Sequence, residues 1–562
     1  MRTFSKIIFI PIIFTSLCFA QEGNPVYAKN GMVVSASTLA SQVGADILKN
    51  GGNAIDAAVA TGFALAVTYP AAGNIGGGGF MVIHLADGKN TSLDFREMAP
   101  LKAHKNMFLD SLGNFLPELS QKSWLASGIP GTVAGLIYAL EKYGTMRLKD
   151  VIQPAIDLAI NGFHLDYRLV NSINYENETF KSIEASRRVF TNDGDKLQIG
   201  QSFKQSDLAR TLELIRDGGA ELFYKGEIAQ KIVKESKKYG GIFTLEDFEN
   251  YQVIERAPLI GNYKGYEIVS MPPPSSGGIC LLLALNTLEH FSFSKEEWGS
   301  SSYIHTLVEI LKQVYADRKE HMGDADFYPV PTNYLISKEY AEIVKSKIND
   351  KTKSANEFLP AEIPRYKESE ETTHYSVVDK FGNAVSTTYT LNGSFGNKIV
   401  IDGLGFLLNN EMDDFSAKPN APNMFGLLGS EANSIQPKKR MLSSMTPTIV
   451  LKDSKTLLVV GSPGGSTIIT SVLQVILNVL EHKMNVYEAI NAPRIHHQLF
   501  PDQIDYEPFG LSQDVKQNLI SKGHKIGIER FLGRVEAIYI DYEMNFLFGT
   551  SDPRGYGKAI GY

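Results

Sequence analysis

A threonine at the end of a charged stretch is the residue of this sequence best placed for covalent chemistry. Thr372 follows the polar residues 349–371 and precedes the strand-like run Tyr375-Ser376-Val377-Val378. Its hydroxyl is a weak nucleophile unless a base lies beside it, and a free α-amine on the same residue, with a reference pKa of about 7.7, can be that base. Such an amine exists only after the Glu371–Thr372 bond is cleaved. An ordinary linker before an ordinary strand explains the same pattern.

His374 is an alternative base for that hydroxyl. In a strand it shares a face with Thr372. The two residues are then separated by roughly 6.6 Å, which is long for a direct hydrogen bond. The α-amine of Thr372 is therefore the preferred base.

Three further groups of side chains could bind a charged substrate. Thr390 and Asn392 share one face of a strand end, although a hydrogen-bonded strand terminus has the same pattern. Glu411 and Asp414 are three residues apart, so they could clamp an ammonium from one side of a helical turn, or belong to a solvated acidic loop. Arg96 could bind a carboxylate with two hydrogen bonds, or form a surface ion pair. No histidine joins the two acids, so a metal site there is weakly supported.

Two turns complete the set. Gly464 and Gly465 lie in Gly461-Ser462-Pro463-Gly464-Gly465-Ser466, before a helical pattern, and consecutive backbone N–H groups at such a turn can stabilise an oxyanion. The spacing differs from the Gly-x-Ser-x-Gly elbow, which argues against an α/β-hydrolase serine. Ser443 and Ser444 belong to a polar turn before a strand.

The elements that must position these residues are helices and hairpins. Ser37 is a possible cap for a first helix, and a second spans about residues 54–67. A glycine tract at residues 73–79 stands between helix and strand, the reverse of a dinucleotide fingerprint, so a Rossmann site is rejected. After residue 372, alternating apolar residues and turns predict hairpins at about 375–389, 448–460 and 535–549. Helices intervene, so we expect antiparallel sheets covered by helices.

Composition excludes some functions. The 562 residues are 43% hydrophobic and 21% charged, with a formal net charge of −7. No long basic run occurs, so nucleic-acid binding has no electrostatic support. Of two cysteines, Cys18 lies in the N-terminal apolar run and Cys280 has no histidine nearby, so Cys280 is expected to be a buried structural thiol.

The first twenty residues have the composition of a cleavable secretory signal. Arg2 and Lys6 precede an apolar run that ends at Ala20. The run is too short for a comfortable membrane span, although a retained anchor helix is the alternative. We expect a protein in the periplasm or secreted, without a stable membrane span.

Together and in this order, these motifs resemble the γ-glutamyltranspeptidases (glutathione hydrolases), which are N-terminal-nucleophile hydrolases. The resemblance extends from about Ser35 to the C-terminus. Its most specific stretches are 372–377, 408–416 and 461–466, with further matches at 491–494 and 551–554.

The resemblance implies an α+β fold, an αββα sandwich of two stacked antiparallel sheets between helical layers. A signal peptide (1–20) would precede a large subunit (21–371) and a small subunit (372–562), which stay together as a heterodimer after self-cleavage. The substrates would be γ-glutamyl donors, glutathione or glutamine, and the acyl group would pass to water or to an amino acid or dipeptide. No cofactor and no metal are expected.

The resemblance also implies roles for the candidate residues. Thr372 would be the nucleophile, hydrogen-bonded by Thr390. The remaining residues would bind the glutamyl group: Arg96, Ser443 and Ser444 its α-carboxylate, Asn392, Glu411 and Asp414 its α-amine, and Gly464 and Gly465 the oxyanion.

Three positions depart from the family pattern. Met441 replaces a proline, which we expect to loosen the approach to the two serines. Phe425 stands in a lid-like stretch, 419–429, where many bacterial relatives have tyrosine, so a phenol-to-asparagine hydrogen bond is lost and a more open lid with more hydrolysis is expected. Thr467 stands where arginine is usual, and the sequence does not explain it.

Two rival functions remain open at this point. Another N-terminal-nucleophile amidase, such as a cephalosporin-type acylase, would share the nucleophile but does not need a grip on a free amino acid head. A non-catalytic periplasmic binding protein for glutamyl compounds would not need a self-cleaving threonine.

Overall fold

The computed structural model describes residues 24–357, 372–418 and 421–562. The predicted signal segment 1–20, Glu371 and the first two residues of the predicted lid, Pro419 and Asn420, lie outside the described residues.

The strands are β1 (Val26–Ala28), β2 (Met32–Ser35), β3 (Gly78–His84), β4 (Asn90–Phe95), β5 (Phe163–His164), β6 (Ser202–Phe203), β7 (Ile254–Arg256), β8 (Leu259–Tyr263), β9 (Tyr266–Ser270), β10 (Thr373–Val378), β11 (Ala384–Thr390), β12 (Thr448–Lys452), β13 (Lys455–Gly461), β14 (Ile495–His496), β15 (Ile504–Tyr506), β16 (Ile526–Glu529), β17 (Glu536–Asp541), β18 (Phe546–Ser551) and β19 (Lys558–Gly561).

The helices are α1 (Thr38–Lys49), α2 (Ala54–Thr68), α3 (Pro117–Gln121), α4 (Thr132–Tyr143), α5 (Leu148–Asn161), α6 (Tyr167–Tyr175), α7 (Asn177–Ser182), α8 (Glu184–Phe190), α9 (Ser206–Tyr224), α10 (Glu227–Lys238), α11 (Leu245–Glu249), α12 (Gly277–Leu288), α13 (Ser301–His321), α14 (Thr332–Leu335), α15 (Lys338–Ser346), α16 (Thr467–Leu480), α17 (Val486–Asn491) and α18 (Gln513–Ser521).

Two seven-stranded antiparallel sheets form the centre of the molecule. The first has the order β19-β2-β10-β11-β3-β4-β7 and the second β1-β18-β17-β13-β12-β9-β8. The three hairpins expected from the sequence are β10–β11, β12–β13 and β17–β18, and each pairs antiparallel. Both sheets contain strands from each side of residue 372, so the two predicted subunits build one common core.

Helices cover the outer face of each sheet. The helices α1, α2 and α4 pack on the first sheet, and α12, α16 and α17 pack on the second. Strands β10 and β11 of the first sheet face β13 and β17 of the second. The order of layers is helix, sheet, sheet, helix, which confirms the predicted αββα sandwich.

Local sequence explains where the covering helices begin. The Ser37 hydroxyl accepts a hydrogen bond from the backbone N–H of Ala40 and caps α1. Asn53 and Asp56 form a capping box at the start of α2, whose residues are all buried. Cys280 is also fully buried in α12, and burial raises the pKa of its thiol to about 12. This burial agrees with the structural thiol expected from the sequence.

Among the helices of the described ranges, none combines the length and apolar character that crossing a membrane requires.

The buried face of α16 provides a test of the packing. Ile476 in α16 is fully buried, whereas Ile520 in α18 is 57% exposed. We expect Ile476→Ala to lower the free energy of unfolding by about 2–5 kcal/mol, because it removes buried methyl groups and leaves a cavity. The matched change Ile520→Ala should cost less than about 0.5 kcal/mol. Urea unfolding of both variants measures this, and equal losses would contradict the layer assignment.

Candidate active site

The predicted site residues come from strand ends that meet at one end of the sandwich. Thr372 directly precedes β10, Thr390 ends β11, and Arg96 directly follows β4. The register pairs the start of β10 with the end of β11, and the start of β3 with the end of β4. Strand β13 of the second sheet leads into the Gly464-Gly465 turn. Residues distant in sequence therefore surround Thr372.

Thr372 lines a small cavity and is only 4% exposed. The cavity volume is about 20 Å³, which is close to the space that one water molecule needs. Seven of the nine other residues predicted to act on a substrate also line it: Arg96, Thr390, Asn392, Asp414, Ser443, Ser444 and Gly465. Glu411 does not line the cavity but is ion-paired with Arg96. Gly464 is next to Gly465 in the chain.

Asn392 lies in a strained turn directly after β11. Its φ is +76°, a left-handed conformation that asparagine tolerates better than most residues. Its backbone N–H donates to the Thr390 hydroxyl at 2.8 Å, and its side-chain amide donates to the backbone carbonyl of Asn410 at 3.0 Å. The turn therefore connects the Thr390 side chain to the segment that carries Glu411.

Arg96 is the centre of a buried ion network. The guanidinium is 1% exposed, and its two terminal nitrogens lie 2.6 Å from carboxylate oxygens of Glu411 and Asp414. Glu411 and Asp414 lie on one 3₁₀ turn, so both can reach one arginine. A surface arginine and a solvated acidic loop, the alternatives from sequence, are both wrong.

Burial and charge shift the pKa values of this network in opposite directions. Burial works against the charged guanidinium, but the attraction of Glu411 and Asp414 outweighs it and raises the pKa of Arg96. Burial raises the pKa of Glu411 and of Asp414, an effect that Arg96 partly offsets. Burial also raises the pKa of the adjacent Glu97 to about 8. Burial therefore favours a proton on Glu97 at neutral pH, and it acts in the same direction on Glu411.

The two serines are held by a helix that sequence reasoning did not associate with the site. Arg318 of α13, only 5% exposed, donates to the Ser444 hydroxyl at 3.1 Å and to the Ser276 hydroxyl at 3.0 Å. Ser276 in turn donates to the Ser443 carbonyl at 2.7 Å. Nothing in the local sequence pattern distinguished Arg318 from a surface residue.

Met441 does not loosen these serines. Its side chain is fully buried, its carbonyl accepts from Nε of Arg96 at 3.3 Å, and the following Leu442 N–H donates to Asn433 at 3.0 Å. The backbone before Ser443 is therefore fixed by contacts that need no proline.

The glycine turn has a conformation that requires glycine. Gly464 and Gly465 have φ values of +132° and +53°. A Cβ atom on Gly465 would lie 2.4 Å from the ring of Phe425, so the lid packs directly on this turn. Thr467, at the start of α16, donates from its hydroxyl to the Gly464 carbonyl at 2.8 Å. Thr467 thus stabilises the turn, which explains the side chain that the sequence left without a role.

The described part of the lid is closed over the site. Phe425 is 4% exposed, and its N–H donates to the Asn423 side chain at 3.0 Å. The same side chain donates to Asp414 at 2.9 Å, and Gln498 donates to the Phe425 carbonyl at 3.2 Å. The lid is therefore not more open in this structure, contrary to the expectation drawn from the missing phenol, because the ring packs on Gly465 and the backbone is held by Asn423.

The ring of His374 is hydrogen-bonded to side chains other than that of Thr372. Its ring nitrogens lie 2.8 Å from the Thr388 hydroxyl and 3.1 Å from the Ser376 hydroxyl. A Cβ atom on Gly461 of the facing sheet would lie 2.3 Å from this ring. His374 therefore fills the space between the sheets, which is consistent with the choice of the α-amine as base.

A second buried polar cluster has donors of the kind that bind metals. His305, Glu309 and His524 place one ligand atom each within 4.8 Å of one another. The two histidines are already hydrogen-bonded to each other at 2.7 Å, and the Lys312 ammonium lies 3.3 Å from Glu309. A lysine that already supplies the positive charge makes this arrangement a hydrogen-bonded network rather than a cation site.

Comparison with known proteins decides the family. A family model described as Gamma-glutamyltranspeptidase matches residues 40–562. The glutathione hydrolase proenzyme of Escherichia coli (strain K12) is 50% identical over 533 residues, which are 94% of this chain and 91% of the relative. This chain belongs to the γ-glutamyltranspeptidase family.

Solved structures agree with this family and with its fold. The γ-glutamyltranspeptidase of Helicobacter pylori is 49% identical, with a TM-score of 0.56 over 58% of this chain and 92% of that chain. A cephalosporin acylase from Bacillus halodurans matches with a TM-score of 0.85 over 99% of both chains, but at 27% identity. The higher identity to the γ-glutamyltranspeptidases confirms the predicted family and leaves the acylase as a more distant relative of the same fold.

The environment of His374 predicts its protonation state. Burial disfavours the charged imidazolium and lowers the pKa of His374 to about 3. The ring should therefore remain neutral from pH 8 down to pH 5, where an ordinary histidine with a pKa of about 6.5 gains its proton. Imidazole NMR shifts, assigned with a His374→Gln variant, measure this. A titration midpoint near 6.5 would show that the ring is accessible and not locked between the sheets.

Proposed function

We propose that this γ-glutamyltranspeptidase is an autoprocessing γ-glutamyl hydrolase/transferase whose nucleophile is Thr372. The carrying observation is the buried cluster of Arg96, Glu411 and Asp414, of which Arg96 and Asp414 line the cavity that Thr372 also lines. One cation and two anions match a free amino acid head, which presents a carboxylate and an ammonium on one carbon. A substrate whose acyl group lacks that head would offer no charged partner to these buried groups.

Binding of the glutamyl head must rearrange the site. The cavity holds about 20 Å³, far less than an amino acid needs. The substrate carboxylate would take up hydrogen bonds from Arg96, Ser443 and Ser444, and its ammonium would take the position of the guanidinium beside Glu411 and Asp414. The described lid residues would have to move with Phe425 to admit it. This exchange replaces one set of buried charge pairs by another, so little desolvation is added.

Chemistry would then proceed at the γ-carbonyl. The Thr372 α-amine takes the hydroxyl proton while the oxygen attacks the carbonyl carbon, and the Thr390 hydroxyl orients that oxygen. Backbone N–H groups of Gly464 and Gly465 stabilise the tetrahedral oxyanion, each such donor contributing roughly 10²–10³ in kcat. The proton passes to the departing amine, which leaves a γ-glutamyl ester on Thr372. Water or an amine then cleaves the ester.

Processing supplies the α-amine that this mechanism needs. We propose cleavage between Glu371 and Thr372, with subunits 21–371 and 372–562 remaining together as a heterodimer. The name proenzyme of the Escherichia coli relative supports processing. The Helicobacter pylori chain, which covers 58% of this one, supports a large subunit of about this length. We also propose that residues 1–20 are removed as an export signal, which places the enzyme in the periplasm or outside the cell.

Removal of the Thr372 hydroxyl should block both processing and turnover. The wild-type protein should give two bands of about 39 and 21 kDa on denaturing electrophoresis, from 62.0 kDa shared in proportion to length. Thr372→Ala should give one band and release no glutamate from glutathione, whereas Thr372→Ser keeps a hydroxyl and should give both bands more slowly. Thr373→Ala is the control, because that neighbour has no proposed role. Two bands from Thr372→Ala would disprove the proposed nucleophile.

Phe425 should influence whether the acyl group passes to water or to an acceptor amine. A Phe425→Tyr variant adds a phenol that can hydrogen-bond an asparagine of the site, worth about 0.5–1.5 kcal/mol. We expect the ratio of hydrolysis to transfer to fall by about two- to tenfold, because the added hydrogen bond would make opening of the closed lid to water less frequent. Glutamate and transfer product are measured together with a dipeptide acceptor. Phe327→Tyr, at a residue that is 41% exposed, is the control, and an unchanged ratio in Phe425→Tyr would contradict the idea.

A further inference from the structure

A second arginine lines the cavity that contains Thr372. Arg318 of α13 lies in its wall together with Arg96, and it is only 5% exposed. The proposed mechanism assigns no role to this side chain. Because a guanidinium is not deprotonated in proteins, a buried cation borders the space that the substrate must enter.

Neutral groups hold Arg318 in place. Its Nε donates to the Ser276 hydroxyl at 3.0 Å, and its Nη2 donates to the Ser444 hydroxyl at 3.1 Å. Among the residues that the structure describes, none accepts a hydrogen bond from Nη1, and no carboxylate oxygen lies within 4.0 Å of the guanidinium nitrogens. The position of Arg318 is therefore fixed by hydroxyl groups rather than by an ion pair.

Arg96 differs from Arg318 in this respect. Its Nε donates to the Met441 carbonyl at 3.3 Å, and its terminal nitrogens lie 2.6 Å from Glu411 and Asp414. Burial lowers the pKa of both guanidinium groups, but the attraction of the two acids outweighs it at Arg96, whereas burial prevails at Arg318. Arg318 is therefore the arginine that can pair with an incoming anion without losing an existing ion pair.

The lid covers Arg318. A space of about 10 Å³ borders this arginine and residues 426–428 of the lid, and Leu427 also lines the cavity of Thr372. Entry of a glutamyl head requires the lid to move, because that cavity holds only about 20 Å³. The same movement would enlarge the space beside the Arg318 guanidinium.

The hydrogen bond from Arg318 also orients the Ser444 hydroxyl. A hydroxyl has one proton to donate and two lone pairs that accept. Because Arg318 occupies one lone pair of Ser444, the hydroxyl proton points away from the guanidinium. Ser444 lines the cavity, so an anion bound beside it would meet a hydroxyl donor and a cation together.

From these contacts we propose that Arg318 is a specificity-determining residue that binds the α-carboxylate of the glutamyl group, which then lies between the guanidinium groups of Arg96 and Arg318. This inference rests on the proposed function. A carboxylate has two oxygens with about four acceptor positions, enough for both arginines and for Ser443 and Ser444. The substrate then supplies the anion that Arg318 lacks, while the two acids beside Arg96 remain for the ammonium.

The test compares γ-glutamyl-p-nitroanilide with its α-carboxamide, which keeps the ammonium and the scissile amide but lacks the negative charge. Release of p-nitroaniline gives kcat and KM for each donor. We expect a wild-type kcat/KM at least about a hundredfold higher for the carboxylate donor, because charge-assisted hydrogen bonds are the stronger ones. In Arg318→Gln this ratio should fall at least about tenfold through a higher KM for the carboxylate donor, with kcat/KM for the carboxamide within about threefold of wild type.

Two further variants separate charge from folding. Arg318→Lys keeps the positive charge without the planar fork, so its ratio should stay within about fivefold of wild type. Arg210→Gln removes an arginine of α9 whose side chain is 67% exposed, and it should leave both donors unchanged. Thermal unfolding and the two-band pattern show whether each variant is folded and processed.

The outcomes are distinguishable. Equal losses on both donors in Arg318→Gln would show that Arg318 only supports the serine turn, and an unchanged ratio would show that the carboxylate binds elsewhere. Either result, or a wild type without the preference, overturns the inference and leaves the proposed function in place. If Arg318→Gln is unfolded or unprocessed, Arg318→Lys decides, since a ratio more than about fivefold below wild type despite the retained charge overturns the inference. If the wild type releases no p-nitroaniline from γ-glutamyl-p-nitroanilide, the proposed function itself fails.

Discussion

The ion cluster of Arg96, Glu411 and Asp414 is the constraint on which the rest of the site depends. Removing such charges from water costs several kcal/mol for each ion, and only close, well-oriented partners offset that cost. The guanidinium is therefore fixed where a strand end of one sheet meets the 3₁₀ turn of another segment, with 2.6 Å contacts to each acid. The αββα sandwich is the frame that brings these distant parts of the chain together.

Close approach of backbone and side chain turns this frame into a site. Gly461 allows His374 to fill the space between the sheets, and Gly465 allows Phe425 to pack over the turn beside Thr372. Larger residues at either glycine would push the layers or the lid apart. The position of Thr372 thus depends on the absence of a side chain at Gly461 and Gly465 as much as on the side chains that pack there.

The helices and strands were predicted from the sequence more reliably than the contacts between side chains. The spacing of apolar residues and the turn residues predicted the β10–β11 hairpin and α16, because both patterns depend on residues close together in the sequence. Arg96, Glu411 and Asp414 were candidates from residue type and spacing, each with an ordinary alternative, and only the family resemblance assigned them to one glutamyl group. Arg318 was missed because its role depends on the packing of α13 against the serine turn, which no spacing in the sequence encodes.

Local departures from the family pattern were the hardest to interpret. Met441 and Phe425 were expected to loosen the site, because Met441 lacks the ring of the usual proline and Phe425 lacks the hydroxyl of the usual tyrosine. The structure shows that burial of Met441 and packing of Phe425 on Gly465 replace those features. A missing hydrogen bond or a missing ring constraint can be read from sequence, whereas the compensating contact can be seen only when the fold is known.

The charges of the site also explain why an amino acid head can enter it. In the empty site the Arg96 guanidinium is paired with both Glu411 and Asp414, and burial raises the pKa of these two carboxyls and of Glu97. A zwitterionic head adds one positive and one negative charge, and the balance is kept. A substrate with only one of these charges would leave a buried ion without a partner, at a cost of about 3–5 kcal/mol. Selectivity for a free α-amino acid therefore follows from charge balance before any shape is considered.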